Sequence, residues 1–241
     1  HIAVIFDAAR KTFRNELYPE YKANRPPAPD DLVPQFALVR DAVRALNLPC
    51  IELANFEADD IIATYTRQAR EKGLEVVVVS SDKDLMQLIG DGVSMYDGMK
   101  GKTIGPEQVR EKFGVGPEKV VEVLALMGDS SDNVPGIPGI GPKTAAELIT
   151  QYGTVENLLS HVAEIKQPKR RESIEQNADL ARVSKQLVIL KDDCANIDGL
   201  EDLAARPMDM NKLVAFLKEQ GFHSLLTRMQ GKMGKEPPHP N

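Results

Sequence analysis

The stretch that decides the fold is Glu75-Val76-Val77-Val78-Val79-Ser80-Ser81, followed at once by Asp82-Lys83-Asp84. Four consecutive valines bounded by polar residues read as a short strand. A continuous rather than alternating apolar run predicts burial on both faces, as in a parallel sheet covered by helices. Upstream, Ile2 to Phe6 is a second short, β-branched run ended by Asp7, and Pro49 to Leu53 is a third. Between them, Val33, Phe36, Val39, Val43 and Leu46 recur at helical spacing, predicting an amphipathic helix over 32–46. Ala58 to Lys72 is a further helix, packing through Ile61, Ile62, Tyr65 and Ala69 and stopped by Gly73. Strands alternating with helices predict an α/β fold with a mostly parallel central sheet flanked by helices.

Downstream the pattern changes. Val93 to Tyr96 and the turn Asp97-Gly98-Met99-Lys100-Gly101 predict a strand and hairpin, and from Gly105 the sequence is mostly helical, with helices over 106–113, 117–127 and 142–151. Later helices are expected at 171–176, 177–187 and 211–221. The division expected is an α/β core over 1–104 that includes a basic segment at 11–31, a helical region over 105–230, and a mobile tail or linker start over 231–241.

The chain has 241 residues, 42% of them apolar, enough for a sizeable core, and a formal net charge of −6. That balance excludes a uniformly basic surface, yet carboxylates gathered around divalent ions give the same count. Cys50 and Cys194 are too far apart in sequence to suggest a disulfide framework or a zinc site, and a reducing cytoplasm fits. No run is long enough to span a membrane, and the histidines are dispersed.

Carboxylates mark the ends of the expected strands and the starts of the expected helices: Asp7; Glu57, Asp59 and Asp60; Asp82 and Asp84; Asp129 and Asp132. In an open α/β sheet such positions converge at the rim where ligands bind. That many carboxylates repel one another unless cations offset them, and Mg²⁺ or Mn²⁺ prefers this oxygen donor set. Two such ions would suit phosphodiester hydrolysis. Glu57, Asp7 and Asp59 are assigned mainly to the ion that activates water, and Asp60, Asp82, Asp84, Asp129 and Asp132 to the second. Lys11, Arg14, Lys22 and Arg25 are interleaved with Tyr18 and Tyr21. The cations suit phosphates, with Arg14 and Lys22 nearest the chemistry, and the tyrosines suit stacking on a base. Gly136-Ile137-Pro138-Gly139-Ile140-Gly141 is a glycine hairpin that opens a helix, so that backbone amides, Lys143 and Thr144 can meet a phosphate. Pro142 is a helix-start residue.

Taken together, Phe6-Asp7-Ala8, Thr12-Phe13-Arg14, the run from Leu17 to Pro26, Glu57-Ala58-Asp59-Asp60, Ser81 to Leu85, and Gly128 to Ala146 resemble the 5′-nuclease domains of the flap endonuclease family, the kind found at the N-terminus of bacterial DNA polymerase I. The resemblance covers most of residues 1–160. It implies a two-metal 5′-3′ exonuclease and flap endonuclease, acting in primer removal and repair on DNA whose 5′ single strand adjoins duplex. It places Arg14 and Lys22 in a helical arch. It also implies a helix-hairpin-helix element over 117–151 that binds duplex DNA and a K⁺ ion near Ser131, Gly136 and Gly139. A polymerase domain in cis and a bacterial, nucleoid-associated location are further implications. Family members carry an earlier strand with another metal-binding aspartate, whereas this chain begins at the next strand. The alternatives are a catalytically incomplete fragment that binds DNA junctions, and an RNase using a related carboxylate cleft.

Overall fold

The computed structural model describes residues 1–233. In chain order the elements are β1 (Val4–Ile5), α1 (Phe13–Leu17), α2 (Gln35–Ala45), β2 (Cys50–Ile51), α3 (Ala58–Glu71), β3 (Val76–Val79), β4 (Val93–Asp97), β5 (Lys102–Ile104), α4 (Pro106–Phe113), α5 (Val120–Met127), α6 (Pro142–Tyr152), α7 (Val155–Ser160), α8 (Pro168–Gln176), α9 (Ala178–Val188), α10 (Met210–Glu219) and α11 (His223–Met233). The fold is α/β with a small, mainly parallel sheet content. Among the described residues no strand follows Ile104. Of the tail expected over 231–241, residues 231–233 close α11 and 234–241 lie outside the described residues.

The chain forms two compact units that are not sequential. One comprises residues 1–6, 27–51 and 198 onward. In it β1 and β2 run parallel, with Val4 opposite Cys50 and Ile5 opposite Ile51, and Phe6 N–H continues the ladder to Ile51 O at 2.8 Å. Ala45, Leu213, Leu217 and Leu226 make its small core. The helix expected over 32–46 begins at Gln35. Only its C-terminal part is buried, at Val43 and Ala45, while Val33, Phe36 and Val39 stay half exposed. A two-stranded sheet covers too little surface to occupy the whole apolar stripe.

The other unit, residues 7–26 and 52–197, holds the larger core. β3 pairs parallel with β4 in register Val76–Val93 to Val79–Tyr96, and β4 pairs antiparallel with β5 through the expected hairpin. The burial expected for the valine strand is corrected. Val78 is buried, but Val77 is 62% and Val79 71% exposed. Pleating sends alternate side chains to opposite faces, and in this unit packing comes from only one of them. Beneath that face Met95, Leu85, Val109, Val120, Leu124 and Leu126 are fully or almost fully buried, and the core continues through Ile149, Leu158, Ile174 and Leu187 of the helical region.

The α5 to α6 connection is built on backbone contact. Gly128 and Gly136 have φ of +68° and +62°, and a Cβ on Gly136 would lie 2.4 Å from the Gly128 nitrogen. Only glycine meets both demands. Ile137 and Ile140 are buried beneath the turn, and Ile137 N–H bonds Leu126 O at 2.8 Å.

Candidate metal centre and nucleic-acid interface

The site is built from the ends of elements in the second unit. Asp7 accepts the Ala58 N–H at 2.7 Å, capping the first turn of α3. Glu57 is the N-cap of that helix, with extended backbone, and Asp59 and Asp60 lie in its first turn, where negative charge is favoured. Asp82 and Asp84 follow β3. Ser80 Oγ accepts the Asp82 N–H at 3.0 Å and Asp82 Oδ1 accepts the Asp84 N–H at 3.0 Å, a turn whose two acidic residues line the same cavity. Asp129 and Asp132 belong to the loop after α5, closed by paired bonds between Asp129 and Val134.

These distant segments meet. Arg14, Tyr21, Lys22, Glu57, Asp59, Asp82, Asp84 and Asp132 line one narrow cavity. Asp84, Asp129 and Asp132 each offer an oxygen mutually within 4.8 Å. Burial pushes the Asp59 carboxyl up to about 8, with Asp82, Glu57 and Asp7 adding repulsion. Burial likewise raises Asp84 to about 6, with Lys83 opposing and Asp82, Asp129 and Asp132 reinforcing. Two carboxylate groups therefore adjoin, one around Asp59 and one around Asp84, and the charge of Asp82 acts on both.

The donor set fits a hard divalent cation. It is all oxygen, burial and then neighbouring carboxylates make Asp59 and Asp84 costly to ionise without a cation, and the buried Oδ1 of Asp84 has no hydrogen-bond partner. Asp129 goes the other way: although burial opposes it, Lys83 and the Ser131 N–H hold its carboxyl below the usual range.

Other expected residues are placed differently. Asp60 is 0% exposed and Arg14 1%. Arg14 forms a bidentate pair with Asp60, both bonds 2.7 Å, and also donates to Leu187 O and Ile189 O. Asp60 further accepts the Glu57 and Lys191 N–H groups. Its lone pairs are therefore spent on protein donors, and Arg14 is a buried strut in this structure rather than an exposed phosphate contact. Burial opposes the guanidinium charge, but Asp60 and then Glu57 raise its pKa above the ordinary value.

Tyr21 is likewise in the core instead of presenting a stacking face; its hydroxyl lies 3.1 Å from Glu57 Oε2 and 3.4 Å from Asp132 Oδ2. Burial, then Glu57, raises the phenol pKa and keeps it a donor. Tyr18 is half-buried against the same core. Lys22, at φ +57°, reaches Glu57 Oε1 at 2.6 Å and Asp132 at 3.5 Å, and Arg25 pairs with Asp132. Lys22 N–H and Asn24 anchor this segment to the 129–133 loop through Asp132 O and Ser130 O. Lys11 is exposed.

In the hairpin, Gly136 N–H is taken by the buried Ser184 Oγ at 2.9 Å, so that amide does not face a ligand. Gly139 and Gly141 are exposed with open space beside them, and Lys143 is exposed in the first turn of α6, with Thr144 half-buried beside it. Ser131 is exposed and its N–H serves Asp129. Lys83 was not singled out by the sequence reading, yet it contacts Asp129 and lies 3.6 Å from Asp84. Its position between two candidate ligands was the available signal. For Ser184, remote in sequence, there was none.

Among the described residues no helix is long and apolar enough to cross a membrane. Two family profiles match in tandem: "5′-3′ exonuclease, N-terminal resolvase-like domain" over residues 1–114 and "5′-3′ exonuclease, C-terminal SAM fold" over 115–211. A DNA polymerase I of Rhizobium leguminosarum is 56% identical over 229 residues, 95% of this chain but 22% of that protein. A 5′-3′ exonuclease of Aquifex aeolicus is 39% identical over 226 residues, 94% of this chain and 77% of that protein. The chain thus spans only about a quarter of the DNA polymerase I relatives it matches. A solved structure of bacteriophage T5 5′-exonuclease with bound zinc superposes with a TM-score of 0.70 at 24% identity, covering 88% of this chain and 80% of that one. The catalytic core of Rad2 in complex with DNA gives 0.54 at 17% identity, over 85% and 69%. These two structures share the fold. With both family profiles matched across 1–211 and carboxylates gathered in one cavity, the chain belongs to the 5′-3′ exonuclease family.

Proposed function

We propose that this chain hydrolyses DNA phosphodiester bonds at 5′ ends and 5′ flaps, using two divalent ions, Mg²⁺ or Mn²⁺, during primer removal and repair. The observation that carries this reading is the gathering of Glu57, Asp59, Asp82, Asp84 and Asp132 in one cavity, with oxygens of Asp84, Asp129 and Asp132 within 4.8 Å of one another. Asp7, Glu57, Asp59 and Asp82 would hold one ion, and Asp82, Asp84, Asp129 and Asp132 the other. Bound there, such ions supply the charge that activates water and stabilises the departing oxygen.

The protein's own groups prepare the site. Arg14 fixes Asp60, which holds the Glu57 N–H and with it the start of α3. Tyr21 bridges Glu57 and Asp132, one from each side of the cavity, and sets their separation. Lys22 and Arg25, here paired with Glu57 and Asp132, would turn toward the non-bridging oxygens of an entering phosphate. Gly139, Gly141, Lys143 and Thr144 at the start of α6 would hold duplex backbone without reading sequence. The Ser131 to Gly139 turn would take a K⁺ ion.

A DNA with a 5′ single-stranded end beside duplex is the proposed substrate, a polymerase domain in cis the proposed partner, and the bacterial cytoplasm, at the nucleoid, the proposed location. The division into an α/β part over 1–104 and a helical part beyond is supported by the lack of strands after Ile104 among the described residues. The test is labelled 5′-flap DNA with Mg²⁺ or chelator, beside Asp59→Ala. Mg²⁺-dependent cleavage lost in the variant supports the reading. Junction binding without cleavage by the unsubstituted chain overturns it.

A further inference from the structure

Beside the carboxylates lies a second, open cavity of about 460 Å³, walled by Arg25, Ser80, Ser81, Lys83, Lys112 and Ser131 and bordered by Asp82, Asp84 and Asp132. Its cations are not equivalent. Arg25 is paired with Asp132 and Lys83 with Asp129. Lys112, on α4, has no ion pair among the described residues; its ammonium lies 5.9 Å from the ring centroid of its neighbour Phe113. Burial, and after it the charges of Lys83 and Lys100, lower its pKa, with Asp82 and Asp84 acting the other way. An ammonium that lines a polar cavity and, among the described residues, has no carboxylate paired with it is available to an anion.

The hydroxyls complete the donor set. Ser80 Oγ already accepts the Asp82 N–H, which leaves its own O–H to donate into the cavity, and Ser81 and Ser131 are exposed beside it. A cation that shares a cavity with several hydroxyl donors suits a tetrahedral, multiply accepting oxyanion. The two cavities share Asp82, Asp84 and Asp132 in their walls, and a DNA strand carries phosphates at regular spacing, so the neighbour of a phosphate at the carboxylates has this cavity beside it.

We propose that Lys112, with Ser80 and Ser81, forms a phosphate subsite that seats the DNA backbone phosphate adjacent to the one at the carboxylate site. This rests on the reading that DNA is cut there. It adds a positioning residue from α4, and Lys112→Ala is its test. In an Asp59→Ala background, to keep the DNA intact, anisotropy of labelled 5′-flap DNA is measured across a salt series. Loss of one phosphate contact is expected to weaken binding about five- to eightfold at 0.1 M salt and to reduce the slope of log K against log salt by about 0.7–0.9, with Lys112→Arg restoring both. Unchanged affinity and slope overturn the subsite.

A second measurement separates its failure from failure of the nuclease reading. Inorganic phosphate is titrated into the ¹⁵N-labelled, otherwise unsubstituted chain. Saturable shifts of the Ser80, Ser81 and Lys112 amides that vanish in Lys112→Ala support an anion site even if flap DNA is neither bound nor cut. If no DNA is bound and these amides do not move, the subsite is refuted.

Discussion

Replacing Arg14 with alanine should destabilise the protein more than almost any surface change, and the structure supplies the size. The guanidinium donates four hydrogen bonds, two of 2.7 Å to Asp60 and one each to Leu187 O at 2.7 Å and Ile189 O at 3.1 Å. Both charged groups are essentially without solvent contact. After truncation Asp60 keeps the N–H groups of Glu57 and Lys191 but has no counter-charge. Removing one partner of such a buried pair costs about 3–5 kcal/mol. For a chain of this size each kcal/mol moves the melting temperature by about 2–4 °C, so a fall of about 6–20 °C is expected. Urea unfolding followed by far-ultraviolet circular dichroism measures the free energy, and differential scanning calorimetry the temperature. The double variant Arg14→Ala/Asp60→Ala should be less destabilised than the sum of the singles, because the stranded charge is gone. A cost below about 1 kcal/mol for Arg14→Ala, or strict additivity in the cycle, would refute the view that this pair is a structural strut.

Three further outcomes follow from the same geometry. Asp59 at about 8 and Asp84 at about 6 bind protons more tightly when folded than when unfolded, so between pH 5 and 8 they make stability fall as pH rises. In chelator the melting temperature should drop over that interval and Mg²⁺ should flatten the drop; a rise with pH in chelator contradicts the crowding of these carboxylates. Ser184→Ala leaves the buried Gly136 N–H without an acceptor and should cost about 1–3 kcal/mol in urea unfolding, whereas an effect near zero would mean the bond contributes nothing. Asp132→Asn should weaken divalent-ion binding measured by calorimetry at least tenfold, on the order of 1.4 kcal/mol, since it removes one of three converging charges; equal affinity would place the ion elsewhere.

Much of the site was legible because its chemistry is local. Glu57-Ala58-Asp59-Asp60 and Asp82-Lys83-Asp84 announce carboxylates at a helix start and a strand end, and the rim rule for α/β sheets predicts that they meet. The glycines at 136, 139 and 141 announce a tight turn before a helix. What pattern cannot carry is the partner of each group. Asp59 and Asp60 are adjacent, identical in chemistry and indistinguishable by spacing. One faces the cavity and the other is locked to Arg14, because successive helical residues point about 100° apart and only one direction leads to the cleft. The two tyrosines of the basic segment read as stacking faces, and only packing shows that Tyr21 is turned inward to bridge Glu57 and Asp132.

The sequence by itself determined that strands alternate with helices up to Ile104 and helices follow, that carboxylates end strands and start helices, and that a glycine hairpin introduces α6, since these follow from propensity and charge within a few residues. Only the tertiary structure decided that the valine strand is covered on one face, that Gly136 packs against Gly128 while Gly139 and Gly141 stay open, and that Lys83 and Lys112 stand at the edge of the carboxylate site. Those outcomes depend on which surfaces meet in the folded chain, as when Lys83 reaches Asp129, 46 residues away, and burial and pairing energies at such contacts have no local sequence signature.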